Sequence, residues 1–357
     1  MPLQFKPYIS TLPAYKPPVA PADVSPIIDL SSNENPLGPS PKAVAALLKA
    51  AETVNRYPDA TGSALKAALA DKWGLSSTNV ALGNGADEWL LLLCLSFVHP
   101  GDEVVMAQGT FVSYLLRATE VGAKVVRVPL RNYTHDLDAM ADAITDRTRL
   151  VFVCNPNNPT GTVVARKDFY TFLDRVPERV AVVLDEAYYE YVVNPDHFQS
   201  VECLCGGRKN LIVLRSFSKV YGLAGLRVGY MLADETVIDY MERARPPFNV
   251  NSLAQVAALA ALDDGEHVRR SLAANEEAKC FFYDELAALS LPYIPSHTNF
   301  IAFDAGRPGA ELSSPLLERG IIITALDGWG VPNHVRFSFG APDENATFLA
   351  ALRQIVL

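Results

Sequence analysis

The chain contains the segments LVFVCNPNNPTG (residues 150–161), VAVVLDEAY (180–188) and LIVLRSFSK (211–219). Each begins with a short β-rich run, about 30 residues from the next, and continues into polar residues, a spacing typical of βαβ units. The carboxyl ends of parallel strands lie along one edge of a sheet, where ligands bind in such folds. We therefore expect the three polar motifs to meet at that edge.

The rest of the chain predicts two domains. Further β-rich runs at Val104–Met106, Lys124–Val128 and Arg227–Met231 complete a mostly parallel, doubly wound α/β sheet. After Pro246-Pro247 the pattern changes to long helices and short strands, which predict a smaller α+β domain. The expected helices are Leu253–Leu262, Val268–Leu289 and Asn345–Ile355, and the expected strands are Asn299–Phe303, Ile321–Thr324 and Val335–Phe339.

The N-terminal residues predict an extended arm. Seven prolines occur among the first 26 residues, which leaves little periodicity for a packed element. Ser40-Pro41 then supplies a helix cap, and Val44, Leu47, Leu48, Ala51 and Val54 follow at amphipathic helical spacing. We expect an arm at 1–30, the start of the small domain and a crossover at 31–57, a large domain at 58–248 and a small C-terminal domain at 249–357.

Composition favours a globular enzyme that binds small molecules. Of the 357 residues, 49% are hydrophobic and 20% are charged, which is enough apolar material for a sizeable core. The net charge of -9 and the lack of a dense Lys/Arg run argue against nucleic acid or an anionic membrane as partner. The apolar run Leu90–Leu95 is too short to cross a bilayer, and the first residues lack a signal peptide's basic start, so we expect a cytoplasmic protein.

Cysteine and histidine do not predict a metal or triad site. The five cysteines form no C-x-x-C pair, so reduced structural thiols are expected. Cys203-x-Cys205 has no second cysteine pair or nearby histidine to complete a metal site. No histidine stands beside a serine or cysteine in a nucleophile motif, and triad chemistry is unsupported.

Each of the three polar motifs has an ordinary structural explanation when taken alone. Asn157–Gly161 is a common turn before a helix, Asp185-Glu186 could be solvated carboxylates, and Ser218-Lys219 is an unremarkable dipeptide. Their order at successive strand ends is what these explanations leave out.

The order of motifs along the chain resembles that of the fold-type I pyridoxal-phosphate aminotransferases, and within them the histidinol-phosphate aminotransferase group. The resemblance covers nearly the whole chain. Its marks are Leu12-Pro13-Ala14-Tyr15, Asn33-Glu34-Asn35-Pro36-Leu37-Gly38, Arg56-Tyr57-Pro58, Gly83-Asn84-Gly85-Ala86-Asp87-Glu88, Asn157-Asn158-Pro159-Thr160-Gly161, Asp185-Glu186-Ala187-Tyr188, Ser216-Phe217-Ser218-Lys219, Gly222-Leu223-Ala224-Gly225-Leu226-Arg227 and Arg336-Phe337-Ser338-Phe339-Gly340.

The resemblance implies pyridoxal 5'-phosphate as cofactor and assigns its reactive partners. Lys219 would hold the cofactor as an imine and, once displaced by substrate, move a proton as general base in ping-pong transamination. Asp185 would keep the pyridine nitrogen protonated, so that the ring can accept electrons. Asn158 and Tyr188 would hydrogen-bond the ring's 3-oxygen.

A second group of residues would hold the cofactor's phosphate and ring. Gly85, Ala86 and Asp87 directly precede an apolar helix expected to begin near Glu88, whose free N–H groups and positive end suit an anion. Ser216, Ser218 and Arg227 would add hydroxyls and a bidentate cation. Phe111 falls where the family stacks an aromatic ring on the pyridine, although simple core packing explains it nearly as well.

Assembly and substrate binding are implied in the same way. Tyr57 would reach the phosphate of the neighbouring subunit's cofactor, which makes a homodimer with shared active sites part of the expectation. Arg336 would anchor the substrate's anionic group, with Tyr15 and Asn35 as further substrate-binding residues.

One position departs from the histidinol-phosphate pattern. These enzymes commonly bring a second arginine to the substrate phosphate where this chain has Thr324. Losing one charge-assisted hydrogen bond would weaken phosphate binding by about 1–3 kcal/mol. Histidinol phosphate, with 2-oxoglutarate as acceptor, stays the first expectation for the substrate.

Three alternatives share the cofactor or the fold, and a fourth does not. They are an aromatic or broad-specificity amino acid aminotransferase, a phosphothreonine decarboxylase, and a transcription regulator that would need an attached DNA-binding domain. A nicotinamide dehydrogenase is disfavoured because no G-x-G-x-x-G follows an early strand.

Overall fold

The computed structural model describes residues 3–14, 16, 19, 21–22, 24–193 and 198–356. Its strands are β1 Ile28–Asp29, β2 Val80–Gly83, β3 Glu103–Ala107, β4 Lys124–Val128, β5 Thr148–Cys154, β6 Ala181–Asp185, β7 Leu211–Ser216, β8 Gly229–Ala233, β9 Tyr293–Ile294, β10 Phe300–Asp304, β11 Ile321–Ile322, β12 Thr324–Ala325 and β13 His334–Ser338. Its α-helices are α1 Pro41–Ala50, α2 Ser63–Trp73, α3 Ala86–Phe97, α4 Val112–Glu120, α5 Leu137–Asp142, α6 Arg166–Arg175, α7 Ser200–Cys205, α8 Glu235–Ala244, α9 Ser252–Leu262, α10 Gly265–Ala288, α11 Gly309–Leu317 and α12 Pro342–Val356.

The central sheet has seven strands in the order β2-β8-β7-β6-β5-β3-β4. Strands β3 to β7 pair in parallel, and β8 pairs antiparallel with both β2 and β7. Every residue of β3, β6, β7 and β8 is buried, which explains why these strands read as continuous apolar runs rather than alternating ones. The predicted mostly parallel α/β sheet is confirmed.

One edge of this sheet collects the polar motifs. Because β8 alone is reversed among the seven strands, the carboxyl ends of β2, β3, β5, β6 and β7 and the start of β8 lie along the same edge. The three motifs quoted first follow β5, β6 and β7, so the chain places them together as expected.

A smaller antiparallel sheet, β12-β13-β10-β9, lies in the C-terminal part of the chain. Its buried Phe337 packs on Phe282 of α10 and Phe348 of α12, which join strands and helices in one core. The α+β character expected here is therefore present. The numerical domain boundaries stay a prediction.

The predicted single strand Ile321–Thr324 is wrong in detail. Ile321–Ile322 pairs in parallel with Ile28–Asp29, whereas Thr324–Ala325 pairs antiparallel with β13. The chain changes partner at Ile323, so the apolar run is shared between two sheets. Ile28 and Leu30 are buried by this pairing, so the last residues of the expected arm belong to the packed structure.

Helix α1 is shorter and less buried than its spacing predicts. The Ser40 hydroxyl accepts a hydrogen bond from the Ala43 N–H, which caps the helix as expected, but the α-helix ends at Ala50. Leu48 is 73% exposed and Val54 is 58% exposed. Leu47 packs against the core, whereas Val44, Leu48 and Val54 are left uncovered within the chain.

The described residues contain neither a metal site nor a membrane-spanning helix. No group of three or more His, Cys, Asp or Glu side chains there is arranged to hold a metal ion. No helix among them is long and apolar enough to cross a membrane.

Candidate active site

Asp185 ends β6 with a buried carboxylate. The Tyr114 hydroxyl donates to its Oδ2 at 2.8 Å, and the Ala187 N–H donates to its Oδ1 at 3.1 Å. Burial raises the pKa of Asp185 to about 6, against the lowering effect of these two donors. The carboxylate is therefore held in a fixed orientation and is largely ionised at neutral pH.

Tyr188 and Asn158 form a hydrogen-bonded chain that leads to Arg336. Arg336 Nη1 donates to Asn158 Oδ1, and Asn158 Nδ2 donates to the Tyr188 hydroxyl at 3.4 Å. A guanidinium can only donate, so the amide orientation of Asn158 is fixed by chemistry. Asn33 Nδ2 also donates to the Tyr188 hydroxyl, at 2.8 Å. With both lone pairs of the phenol oxygen engaged, its own hydrogen remains for a further acceptor.

Arg336 is a buried cation with an incomplete set of partners. Its Nη2 donates to the Ser31 carbonyl oxygen and, at 3.3 Å, to Thr324 Oγ1. Its Nε has no hydrogen-bond partner within the described residues. Burial lowers the pKa of Arg336 to about 10. A buried guanidinium with spare donors and no carboxylate beside it is suited to an anion.

Lys219 follows β7 and is half-buried. Its Nζ donates to the Ser32 carbonyl oxygen at 3.0 Å and lies 5.6 Å from the centre of the Tyr188 ring. Burial first and the nearby Arg336 charge second lower the pKa of Lys219 to about 8. An unusually acidic ammonium of this kind supplies a free amine close to neutral pH.

A cradle for an anion lies where α3 begins. Gly85 has φ +77°, and a Cβ built on it would lie 2.4 Å from Arg227 Nη2, so only glycine allows the guanidinium this close. Arg227 is exposed and forms no ion pair in the described part of the chain. Ala86 and Asp87 open α3, where the first N–H groups have no intrahelical acceptor.

The serines and Asp87 complete the surroundings of the cradle. Ser216 and Ser218 are both buried, and the Ser218 N–H donates to Ser216 Oγ at 3.0 Å. The carboxylate of Asp87 instead pairs with Arg117 at 2.6 Å, so only the backbone of Asp87 faces the start of the helix as a donor.

Phe111 stands at the start of α4, directly after β3. Its ring is edge-on to Tyr114, with centroids 5.6 Å apart, and 6.4 Å from the ring of Trp329. The residue is only partly buried.

Two expected residues, Tyr57 and Asn35, are not part of this cluster. Tyr57 is 82% exposed and stacks on Phe248 at 4.6 Å. The side chain of Asn35 is fully hydrogen-bonded to other parts of the protein. It donates to the Val220 carbonyl and to Ser271 Oγ, both at 2.9 Å, and accepts from the Leu37 N–H. Tyr15 lies outside the described residues.

Sequence reasoning missed the segment Ser31–Asn33 and Tyr114. The carbonyls of Ser31 and Ser32 and the amide of Asn33 contact Arg336, Lys219 and Tyr188 in turn. Asn33 has φ 55°, a left-handed conformation that asparagine adopts more readily than most residues. An asparagine within Ser-Ser-Asn-Glu-Asn could have indicated the left-handed turn at position 33. The local sequence does not indicate which distant side chains that turn contacts.

These features together define an enzyme site on an α/β sheet, with a shielded amine, a buried carboxylate and an anion cradle. A family model described as aminotransferase class I and II matches residues 25–352. The chain belongs to this family, and it is a pyridoxal-phosphate-dependent transaminase.

Two similar relatives and a solved structure bear the same name. The histidinol-phosphate aminotransferase of Moorella thermoacetica is 49% identical over 333 residues, covering 93% of this chain and 86% of the relative. That of Caldicellulosiruptor saccharolyticus is 41% identical and covers 92% of both chains. A solved histidinol-phosphate aminotransferase from Sinorhizobium meliloti, in complex with pyridoxal-5'-phosphate, superposes with a TM-score of 0.92 at 29% identity, covering 99% of this chain and 97% of that one.

Proposed function

We propose that this aminotransferase transfers the amino group of histidinol phosphate to 2-oxoglutarate. The hydrogen-bonded chain from Arg336 through Asn158 to Tyr188 carries the proposal, because it connects an anion-binding guanidinium with the side chains around Lys219. The names of the most similar relatives support the choice of substrate.

The residues present fit pyridoxal phosphate. We assign its phosphate to the N–H groups that open α3, to Ser216 and Ser218, and to Arg227. Arg227 forms no ion pair among the described residues, and its guanidinium can approach Gly85 closely because glycine has no Cβ. Asp185 would pair with the ring nitrogen and Phe111 would cover a ring face. When bound, the cofactor supplies an aldehyde carbon for an amine and a protonated ring that takes up electrons.

Lys219 is the proposed nucleophile and general base. Its lowered pKa leaves a useful fraction of free amine near pH 8, which an ordinary lysine would not have. A base whose pKa lies near the working pH transfers protons efficiently in both directions. The Ser32 carbonyl holds the amine in place at 3.0 Å until it reacts.

Tyr188 is proposed to donate its hydrogen to the 3-oxygen of the cofactor ring. Asn33 and Asn158 both donate to the phenol oxygen, so the hydroxyl hydrogen must be directed elsewhere. Burial raises the pKa of Tyr188, so the hydroxyl stays protonated and acts as a donor. Asn158, held by Arg336, can transmit substrate binding to this position.

Arg336 is proposed to bind the anionic group of the substrate. A substrate anion would compete with the Ser31 carbonyl for the guanidinium and would satisfy the unpartnered Nε. The strand position β12 provides a hydroxyl, Thr324, in place of a second cation. We expect weaker phosphate binding than a site with two arginines would give.

An aromatic amino acid is the second candidate for the donor. The guanidinium carbon of Arg336 lies 5.3 Å from the Phe300 ring centre and 5.4 Å from that of Trp329. A single arginine between aromatic rings also suits a carboxylate attached to an aromatic side chain.

The identity of the amino donor can be tested by measuring reaction rates with three compounds, each paired with 2-oxoglutarate. The compounds are histidinol phosphate, phenylalanine and phosphothreonine. We expect kcat/KM for histidinol phosphate to exceed that for phenylalanine by at least about tenfold, which corresponds to about 1.4 kcal/mol. A preference for phenylalanine of similar size would replace the first candidate by the second. Release of carbon dioxide from phosphothreonine would indicate the decarboxylase instead.

A homodimer with shared sites is proposed from the uncovered apolar surface. Val44, Leu48, Val54 and Tyr57 are all exposed on one contiguous stretch of sequence. Exposed apolar patches of this kind are typical of subunit interfaces. Tyr57 is exposed and stacks on Phe248, so its hydroxyl remains accessible to a partner subunit, and we propose that it reaches the partner's cofactor phosphate. A cytoplasmic location stays a prediction.

A further inference from the structure

Tyr114 contacts two of the proposed cofactor residues and has no role in the mechanism above. It lies on α4, is fully buried, and touches both Asp185 and Phe111. We propose that Tyr114 is a positioning residue, which holds the carboxylate of Asp185 toward the cofactor's ring nitrogen and supports the ring of Phe111. This inference rests on the proposed roles of those two residues.

The orientation of the Asp185 carboxylate depends on Tyr114. Tyr114 donates to Oδ2 and the Ala187 N–H donates to Oδ1, so the two oxygens are held by different elements. A carboxylate has about four acceptor positions, and two remain for the ring nitrogen. Without the phenol, rotation about the Asp185 side chain would be restrained from one side only.

Tyr114 also makes aromatic contacts with Phe152 and Phe111. Its ring stacks on Phe152 with centroids 4.8 Å apart and 2° between planes, and it meets Phe111 at 85°. Offset-stacked and edge-to-face pairs are favourable geometries. The stack on Phe152 holds the Tyr114 ring in place, and the near-perpendicular contact with Phe111 supports that ring in turn.

The Tyr114 hydroxyl also affects the charge of Asp185. Burial first, and then the Asp185 charge, raise the pKa of Tyr114, so its hydroxyl remains a donor at every working pH. The donor counteracts the burial that raises the pKa of Asp185. Other titratable groups near Asp185 come from several elements. They are Asp87 of α3, Cys154 of β5, Glu186 and Tyr188 after β6, and Lys219 after β7.

Tyr114→Phe tests the inference because it removes the hydroxyl and keeps the ring. In the apoenzyme, the ionisation midpoint of Asp185, followed by carbon NMR of labelled aspartate and assigned with Asp185→Asn, should move up by about one to two pH units. Affinity for pyridoxal phosphate should fall at least about tenfold near pH 7, where part of Asp185 is then protonated, and by less at pH 9.

Two further proteins separate positioning from simple packing. Phe152→Leu loosens the stack but leaves the hydroxyl, so it should lower thermal stability without moving the Asp185 midpoint. A fluorinated tyrosine at position 114 is a stronger hydrogen-bond donor and should move the Asp185 midpoint to lower pH. This variant tests the inference even if Tyr114→Phe folds poorly, and an unchanged midpoint would count against it.

The inference is overturned if Tyr114→Phe leaves the Asp185 midpoint within about 0.3 pH units of the wild-type value and the cofactor affinity within about twofold of it. Should Asp185→Asn also leave cofactor affinity unchanged, the proposed role of Asp185 fails first. If Asp185→Asn strongly lowers cofactor affinity and Tyr114→Phe leaves it unchanged, only the role of Tyr114 is rejected.

Discussion

At the scale of single residues, Asp185 and Glu186 are adjacent buried carboxylates with different partners. Glu186 forms an ion pair with Arg215 at 2.7 Å and accepts from the Ser200 hydroxyl, so its charge is compensated within the fold. Asp185 has only neutral donors. The uncompensated carboxylate is the one available to a cationic ring nitrogen.

We predict that Asp185→Asn lowers kcat by a factor on the order of 10²–10³ or more, since a neutral amide cannot stabilise the protonated ring in a shielded site. Single-turnover measurements with the amino donor would show it. Glu186→Gln is the matched control and should lower the free energy of unfolding while retaining most turnover per folded molecule. Equal losses in both variants would contradict the assignment.

Lys219 gives a pH-dependent prediction. Its pKa of about 8 lies below the ordinary value, so its free amine should appear as pH rises through about 8. In the apoenzyme, modification of Lys219 by an amine-specific reagent should follow this midpoint, as measured by peptide mass spectrometry. Arg336→Met removes a neighbouring cation and should move the midpoint to higher pH.

The control for that experiment is a surface arginine. Arg353→Met breaks an exposed pair with Glu285 on α10 and should leave the Lys219 midpoint in place. A midpoint that responds equally to both substitutions, or to neither, would rule out the proposed coupling between Arg336 and Lys219.

At the scale of elements, the segment Ser31–Asn33 joins the small antiparallel sheet to the catalytic cluster. The Asn33 N–H donates to Ser338 Oγ on β13, while its side chain donates to Tyr188 beyond β6. Three consecutive residues thereby align side chains from β7, β13 and the loop after β6. Their precise register is what holds Lys219, Arg336 and Tyr188 relative to one another.

We predict that Asn33→Gly alters the protonation of the bound cofactor with little backbone cost, since glycine also adopts φ near 55°. Loss of the amide removes one donor from the buried Tyr188 hydroxyl, worth about 0.5–1.5 kcal/mol. The absorbance of the bound cofactor against pH should shift its midpoint. Asn33→Ala should be less stable, because it adds backbone strain, and a spectrum unchanged in both would argue against the contact.

The sequence predicts elements of this site unequally, for physical reasons. Lys219, Asp185 and Asn158 follow strands directly, so the common direction of those strands is sufficient to place them at one edge. Tyr114 and Asn33 meet their partners across 71 and 155 residues, and no local pattern marks such contacts. The division of Ile321–Ala325 between two sheets likewise depends on distant partners, β1 and β13.

At the scale of the whole molecule, the exposed face of α1 and the exposed Tyr57 favour a dimer in which each chain completes the other's site. Leu48→Glu places a charge on that face and should shift the protein from dimer to monomer in sedimentation experiments. Lys49→Glu, a nearby polar position, is the control and should remain dimeric.

Mixing two inactive variants tests whether the sites are shared. In a hybrid of Lys219→Ala and Tyr57→Ala subunits, one site receives both defects and the other receives intact Lys219 and intact Tyr57. We predict that subunit exchange restores activity above that of either parent. Mixtures that stay at the mean of the two parents would show that Tyr57 acts within its own chain or not at all.

The most direct measurement for the account is reduction of the cofactor-loaded protein with borohydride, followed by peptide mapping. The account predicts one pyridoxyl-modified lysine, Lys219, and no modification in Lys219→Ala. A label on another lysine, or a cofactor that is lost on denaturation after reduction, would contradict it.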